Sequence, residues 1–530
     1  MSNREVCRAI LDKLISGEFA DDQDLTRVKL WACREFGLKN FPRNSEILAV
    51  ATDDEREEVL SLLRLKPIRS ISGVSVITVM PKPFPCPKDD PCVYCPGGPC
   101  FGTPQSYTGS EPAGRRAFEN DFDPYKQVKS RIEQFKIMGH AVDKVELIIF
   151  GGTITAYPVD YLEWFVTQCL NAMSGADAKT IEQAQVAAEN ASIRNSDITI
   201  ETRPDCFKES HVDFMLRLGA TRVELGVQSV YDDVYKLVNR GHTVKDVVEA
   251  TRIAKDSGFA VIYHMMPGLI GSNFDRDLKA FETIFCDDRF KPDAIKIYPT
   301  LVMPGTKLYN MWKQGDYKPY SLDEIIELII QIKKRVPRWV RIQRIQRDIP
   351  ANKIAEGVKL GDLRLLVQKQ MKKKKVHCKC IRCREVGHVQ YKSKRISNKT
   401  DVKLVVDRYK ASEGEEIFLS FEDVKQDVLI GLLRLRYPSE KAHRLEVKNK
   451  RSMLVRELHV YGPLVQVGSD AEKNEWQHRG WGERLMQEGE RISKEEFNAN
   501  KIIVLAGIGT RNYYRRLGYE REGPYMVKNI

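Results

Sequence analysis

The 530-residue chain has no run of about 18 uninterrupted apolar residues, so no segment predicts a membrane span. A signal-peptide core is also missing from Met1 to Ala20, where Val6, Ile10, Leu11 and Leu14 recur at helical spacing among charged residues. Cysteine is scarce, 12 in all, and too sparse for a disulfide scaffold. There is no internal repeat, and Lys372, Lys373, Lys374 and Lys375 form the one low-complexity tract. With 42% hydrophobic and 30% charged residues, these absences exclude a disordered or membrane-spanning chain. They predict a soluble, cytoplasmic, α/β multidomain protein of roughly three domains.

What cysteine there is lies in clusters. Seven of the 12 fall into two groups, Cys86/Cys92/Cys95/Cys100 and Cys378/Cys380/Cys383. Clustered thiols in a reducing compartment point to metal. Charge is equally uneven. Between Gln331 and Thr400 stand 22 Lys or Arg against 4 Asp or Glu, a local +18 in a chain whose total is +12, so the rest of the chain is net acidic. A block of one sign repels itself unless a polyanion neutralises it, which predicts nucleic-acid contact. Within it Arg338, Arg341 and Arg344 recur every three residues with Trp339 between them, followed by Arg347 and the four-lysine tract. That pattern suits backbone phosphates and a stacking surface.

Hydropathy periodicity divides the chain. Residues 1–70 show three helical stretches with nearly balanced charge and predict a small helical module. From 71 to 330 short apolar runs alternate with amphipathic stretches. Strands are predicted at Val76–Met80, Val145–Phe150, Ile198–Glu201, Arg222–Val227, Ala260–Met266 and Ala294–Thr300. Recurrent strands after helical crossovers predict parallel pairing, in a doubly wound sheet or a full or partial β/α barrel, with ligands at the strands' carboxyl ends. Residues 331–400 form a basic linker. From 401 to 530 the pattern turns antiparallel, with strands at Glu416–Phe421, Val428–Arg436 and Met453–Tyr461. A helix over Arg479–Glu496, a strand over Lys501–Ala506, a short helix near Asn512 and a last strand near Tyr525 follow.

Cys86, Cys92 and Cys95 form C-x5-C-x2-C in a Pro- and Gly-rich loop just after the first predicted strand. Three thiolates on one loop can hold three irons of a [4Fe-4S] cube and leave the fourth open to a ligand. Completion by Cys100 would instead give a zinc knuckle or a closed electron-transfer cluster. The loop, with an aromatic before its last Cys and Gly151-Gly152-Thr153 after the second strand, resembles radical S-adenosylmethionine enzymes. Cys92-Val93-Tyr94-Cys95-Pro96-Gly97-Gly98, Gln105-Ser106-Tyr107-Thr108-Gly109, Gly226-Val227-Gln228-Ser229-Val230, Arg240-Gly241-His242-Thr243 and Arg456-Glu457-Leu458-His459-Val460-Tyr461-Gly462 are similar, more narrowly, to the Elp3 family of Elongator catalytic subunits.

That resemblance implies a partial radical-enzyme barrel fused to a GNAT-type acetyltransferase domain behind the helical module, which would contact transfer RNA. Cys86, Cys92 and Cys95 would hold the cluster, whose open iron chelates S-adenosylmethionine for cleavage to a 5′-deoxyadenosyl radical. Gly151, Gly152 and Thr153 would meet the methionine amino group, with Glu201, Arg203, Gln228 and His264 as further polar neighbours. Lys296 is a catalytic candidate on the sixth strand. His264 could equally be a satisfied core histidine and Lys296 a salt-bridged structural lysine.

In the basic segment, Cys378, Cys380 and Cys383 predict a zinc clip whose fourth ligand is His377, His388 or a distant residue. Near the carboxyl end, Gln477-His478-Arg479-Gly480-Trp481-Gly482 opens a helix after a strand and loop, where bare amides favour a pyrophosphate. This resembles the acetyl-coenzyme A loop of the GNAT fold, in which Tyr513 or Tyr514 would protonate the departing thiolate. The joint implication is addition of an acetyl-derived carbon radical to C5 of a wobble uridine in transfer RNA, giving carboxymethyluridine. Elongator-like accessory subunits and an electron donor of unspecified kind would assist. A protein lysine acetyltransferase with a structural iron–sulfur cluster, and a transfer-RNA binding platform without turnover, are the alternatives.

Overall fold

A computed structural model describes residues 2–16, 22–38, 40–393, 397, 399–448, 451–463, 476–477 and 479–530. Two seven-stranded sheets carry the fold. The first runs β1 (Ser75–Val79), β2 (Lys144–Ile149), β3 (Arg194–Thr202), β4 (Arg222–Gln228), β5 (Ala260–Met265), β6 (Ala294–Ile297) and β7 (Arg341–Ile345). Its strands lie in sequence order and every neighbouring pair is parallel, while β1 and β7 remain edges. The result is a partial barrel. Nearly every β4 to β6 side chain is buried, which is why those strands appear in the sequence as continuous apolar runs.

The second sheet contains β8 (Val402–Ala411), β9 (Gly414–Asp423), β10 (Val428–Tyr437), β11 (Ser452–Val460), β12 (Lys501–Val504), β13 (Glu520–Glu522) and β14 (Tyr525–Asn529). Strands β11 and β12 pair in parallel and the other neighbours antiparallel, so this sheet is mixed. The helix Trp481–Phe497 packs on it through Leu485, Met486 and Ile492. The helices Asn3–Ile15, Asp22–Glu35, Asn44–Ala49 and Asp53–Leu63 share their own core, built from Val6, Ile10, Leu11, Val28, Ile47 and Leu63. No helix among the described residues is long and apolar enough to cross a membrane.

Three strands escaped the sequence pattern, the short, fully exposed β13 among them. β7 lies inside 331–400, the stretch expected to be a linker, because in Arg341-Ile342-Gln343-Arg344-Ile345 two buried isoleucines sit among basic and polar residues without a strand-like alternation. The same stretch continues into a helix, Leu363–Lys373, that buries Leu363, Val367 and Met371 at four-residue spacing. β8 is an edge strand whose alternate side chains are exposed and charged, which dilutes its apolar signal.

The two sheets meet through buried charge. Arg456 on β11 donates to Asp293, just before β6, and to Glu416 on β9, both at 2.7 Å. Arg436 on β10 donates to Asp256 at 2.7 Å and to Glu416 at 3.0 Å. Arg434 donates to Glu457 at 2.7 Å, and Arg222 of the first sheet reaches the other oxygen of Glu457 at 3.2 Å. All of these groups except Arg222 and Glu457 are under 5% exposed. Backbone completes the seam. A Cβ on Gly507 would fall 1.8 Å from the Ser196 carbonyl oxygen, and one on Gly509 2.6 Å from the Asn195 nitrogen, so the loop after β12 lies directly on β3.

Removing one member of such a lattice strands its partners in low dielectric. Arg456→Ala is expected to lose about 3–5 kcal/mol in urea denaturation, by that principle, whereas removing the exposed Arg491, paired with Glu488 and Glu495, leaves the midpoint in place. Burial raises the Glu457 carboxyl, but Arg222 and Arg434 outweigh it and hold the group at about 2, against an ordinary 4.5. Its contribution to stability is therefore complete above about pH 4.5 and is lost as pH falls toward 2. A Glu457→Gln variant should lack that part of the acid transition in a pH titration followed by circular dichroism.

Candidate active site

The carboxyl ends of the first sheet's strands converge on the loop after β1. Cys86, Cys92 and Cys95 each meet a donor. Arg203, after β3, places Nη1 3.9 Å from Cys86 Sγ while its other nitrogens clasp Asp205 at 2.6 and 3.0 Å. Arg240 points Nη1 to Cys92 Sγ at 3.7 Å, and Gln105 Nε2 lies 3.2 Å from Cys95 Sγ, with Ser106 Oγ at 3.4 Å. Burial raises the Cys92 thiol, yet Arg240 and Lys88 outweigh it and lower its pKa overall. Burial, reinforced by Cys92, raises Cys95. Cys100 is exposed.

Among the described residues, the group whose ligand atoms all lie within 4.8 Å of one another is Cys378, Cys380 and Cys383. Cys86, Cys92 and Cys95 are spread more widely around one loop, which fits a multi-iron cluster better than a single ion. Arg240, Gln105 and Ser106 stand in motifs visible in the sequence. Their role as thiol donors was not, because it depends on where a second loop lands.

Above the thiols runs a line of polar side chains. Lys296 Nζ on β6 pairs with Glu224 on β4 at 2.6 Å, and Glu224 meets His264 Nε2 at 2.7 Å. The other His264 nitrogen lies 3.6 Å from Glu201, whose carboxylate accepts from Tyr107 Oη at 2.7 Å and from the amides of Gly151 and Gly152 at 3.3 and 3.4 Å. So Gly151, Gly152, Glu201 and His264 belong to one constellation. Lys296 is salt-bridged as well as site-lining. Thr153 is buried beside this constellation, in the turn that follows Gly152. Burial raises Glu224, but Lys296 and His264 outweigh it and hold it at about 2.

Two backbone positions are demanding. Gly152 has φ +84° and no room, since a Cβ would stand 3.0 Å from the Gln105 carbonyl oxygen. Gln228 ends β4 at φ 70° with its Oε1 buried and without a partner.

Cys92, Cys95, Glu201, Gln228, His264 and Lys296 line a cavity of about 600 Å³ that also touches Glu457, His459 and Tyr461 of the second sheet and its following loop. His459 Nε2 meets the Ser72 carbonyl at 2.9 Å and its ring stacks on Tyr461 at 4.2 Å. The cavity therefore spans both sheets.

In the second domain, Gly480 caps the helix Trp481–Phe497 at φ 76°. A Cβ on Gly482 would lie 2.8 Å from the Tyr513 hydroxyl, so that hydroxyl faces the helix amino terminus. It is buried without a partner, and burial pushes it up to about 12. Tyr514 turns into the core instead, which separates two neighbours the sequence left equivalent. Gln477 leans toward the first domain, donating to the Val460 carbonyl at 3.1 Å and accepting from Lys144 at 3.1 Å. Trp481 packs on Phe421, and Arg479 lies in the turn before the helix. His478 lies outside the described residues.

The arginines expected to follow a phosphate backbone are engaged elsewhere. Arg338 pairs with Glu422, Arg341 with buried Glu385, Arg344 with Asp348, and Arg347 sits 3.7 Å from Glu111 and over the Tyr107 ring. Trp339 stacks on Tyr409 at 4.3 Å between the domains. Arg341 and Arg344 lie on β7, with Arg338 and Arg347 on its flanks. Lys372, Lys373, Lys374 and Lys375 are exposed at the end of a helix, with Lys374 paired to Glu327. His388 is tied to Glu385 at 2.9 Å and His377 is exposed, so neither joins Cys378, Cys380 and Cys383. Buried Lys333 does approach them, 3.5 Å from Cys383 Sγ.

Gly152→Ala should unseat the thiol loop without touching a thiol. Iron and sulfide content after anaerobic reconstitution is expected to fall well below that of the parent protein, while Gly315→Ala, at an open helix end, keeps it.

Comparison with known proteins agrees with this arrangement. The ELP3 N-terminal domain model matches residues 3–71, the radical SAM superfamily model 86–284 and the radical SAM C-terminal domain model 292–373. A protein of Methanocaldococcus jannaschii called tRNA uridine(34) acetyltransferase is 50% identical, over 99% of this chain and 98% of its own length. Human Elongator complex protein 3 is 46% identical over 98% of this chain and 96% of its own. The solved structure of Methanocaldococcus infernus Elp3, lacking its first 46 residues, superposes with a TM-score of 0.77 at 48% identity, covering 87% of this chain and all of that one. With its helical module, partial barrel, thiol loop and mixed second sheet, the chain belongs to the Elp3 family of radical SAM proteins.

Proposed function

We propose that the chain carboxymethylates the wobble uridine of transfer RNA, using S-adenosylmethionine and acetyl-coenzyme A. The observation that supports this best is the single cavity bordered by Cys92 and Cys95 at one end and by Glu457, His459 and Tyr461 at the other. Relatives named for uridine(34) acetylation agree with it. When bound, a [4Fe-4S] cluster with S-adenosylmethionine supplies a 5′-deoxyadenosyl radical able to take hydrogen from the thioester methyl group.

The chain's own residues would place the partners. Cys86, Cys92 and Cys95 hold the cluster, with Arg203 and Arg240 offsetting their negative charge. Glu201, aimed by the Gly151 and Gly152 amides and by Tyr107, receives the methionine ammonium, with Thr153 and Gln228 beside it. His264, bracketed by Glu224 and Glu201, faces the same cavity, and Lys296 keeps Glu224 ionised.

The amides of Gly480 to Gly482, with Gln477, His478, Arg479 and Trp481 around them, receive the coenzyme A pyrophosphate. Tyr513, still protonated at neutral pH, donates to the departing thiolate. Cys378, Cys380 and Cys383 hold zinc, their charge balanced by Lys333. Exposed Lys372 to Lys375 and the helical module extend the contact with RNA, and an Elongator-like assembly surrounds the subunit, in keeping with the relatives' names.

A lysine acetyltransferase would need a base near the thioester. Glu457, clamped by Arg222 and Arg434 and held at about 2, is too weak a base for that task.

The test is anaerobic turnover of reconstituted protein with transfer RNA, S-adenosylmethionine and methyl-labelled acetyl-coenzyme A, read by nucleoside mass spectrometry. Label at C5 of the wobble uridine together with 5′-deoxyadenosine is expected; acetyl-lysine without either product would refute the assignment. Cys92→Ser should abolish both products. Tyr513→Phe should slow release of coenzyme A by about 10²-fold, the usual worth of a positioned proton donor.

A further inference from the structure

The partial barrel is open between β1 and β7, and the cavity reaches that opening on the β1 side. Three elements deliver a guanidinium there: Arg69 from the turn Pro67–Arg69, Arg116 from the helix Pro112–Glu119, and Arg131 from the helix Pro124–Ile137. Each is half-buried. Their contacts are sparse. Arg69 Nη1 lies 3.7 Å from Met138 Sδ, and Arg116 donates to the Thr78 carbonyl while its Nε is buried without a partner. Arg131 donates to the Gln134 side-chain oxygen and lies 4.1 Å from the centre of the Phe135 ring.

Among the described residues no carboxylate stands within ion-pair distance of any of the three. That sets them apart from Arg338, Arg341, Arg344 and Arg347, which all have one. Like charge gathered in a partly desolvated wall is unfavourable unless an anion completes it. The strain is visible in the group itself: burial, then the neighbouring Arg69, push Arg116 down to about 10, and burial, Arg116 and Arg69 do the same to Arg131. Across the cavity Arg382 has no ion pair among the described residues either.

We propose that Arg69, Arg116 and Arg131 form the phosphate-binding wall through which a polynucleotide backbone enters, holding the phosphodiesters that flank the base directed into the cavity. The inference rests on the transfer-RNA reading above. A base can reach a cavity of this depth only when turned out of its stack, which leaves its flanking phosphates at the rim. Coenzyme A also carries phosphates, but Gly480 to Gly482 and Tyr513 belong to the second domain, whereas the three arginines belong to the helices and turn around β1. The charge that the basic segment advertised in sequence is thus supplied here by arginines outside it.

The experiment measures binding of an anticodon stem-loop RNA to the full-length protein from 50 to 300 mM salt. Arg69→Gln, Arg116→Gln and Arg131→Gln are each expected to weaken binding and to flatten the slope of log affinity against log salt by roughly 0.7 to 0.9. The three Arg→Lys variants, which keep the charge, should retain most of the slope. Arg217→Gln, removing an exposed arginine paired with Glu163 and Glu182, serves as the control.

Glutamine variants that fold normally by circular dichroism yet keep the parent affinity and slope would overturn the proposal. So would lysine variants that lose binding as completely as the glutamine variants, since shape and not charge would then matter. Titration of coenzyme A separates the other phosphate source: loss of its binding with RNA affinity intact would overturn the assignment to a polynucleotide. A parent protein that binds no RNA would sink the transfer-RNA reading itself, an outcome distinct from all of these.

Discussion

The structure depends on a seam in which buried ion pairs run through the apolar packing of Leu454, Ile503, Leu505 and Ile508 against the first domain. Arg456 joins Asp293 of the first domain to Glu416 of the second, and Arg436 and Arg434 extend the pattern to Asp256 and to the Glu457–Arg222 pair. Burying so many charges is costly, and attraction offsets the cost only when every partner is in register. Apolar faces can slide over one another; a lattice of paired guanidiniums and carboxylates tolerates one alignment. That alignment puts β11 against the open mouth of the barrel and makes one cavity out of two domains.

Within the cavity, the same two residue types are arranged to different ends. Arg203 lies against Cys86 and Arg240 against Cys92, whose pKa Arg240 helps to lower. Glu201 is held by backbone amides and a tyrosine, so it is oriented without being neutralised by an arginine. Glu224 is sandwiched between Lys296 and His264 and stays ionised in a buried setting. Arg69, Arg116 and Arg131 stand apart from both groups, with charge and no carboxylate. A gradient from satisfied to unsatisfied charge thus runs from the strand ends to the lateral opening. Such an arrangement suits a reaction in which small ligands are held deep and a polyanion closes the entrance.

Much of this was legible in the residues alone. Six of the seven barrel strands, the thiol loop at the end of β1 and the Gly-Gly turn after β2 follow from apolar period and from Gly, Pro and Cys placement, which are local signals. The three long strands of the second sheet and the helix opening at Trp481 were equally visible. β7, β8 and β13 were not, because strands rich in charged residues look like solvated surface until the neighbouring strand is known.

The sequence by itself therefore determined most of the element types, the two cysteine clusters and the family resemblance, since each is written in spacing along the chain. Only the tertiary structure decided which charges are free. Arg338, Arg341, Arg344 and Arg347 form the more regular basic pattern, yet each meets an acidic residue, all but one of them distant in sequence. Arg69, Arg116 and Arg131 have no pattern at all and share one wall. Folding likewise turned Tyr513 toward Gly482 and Tyr514 into the core. The physical reason is common to these cases: a charge or hydroxyl is defined by what lies within a few ångströms, and the chain order does not specify that neighbour.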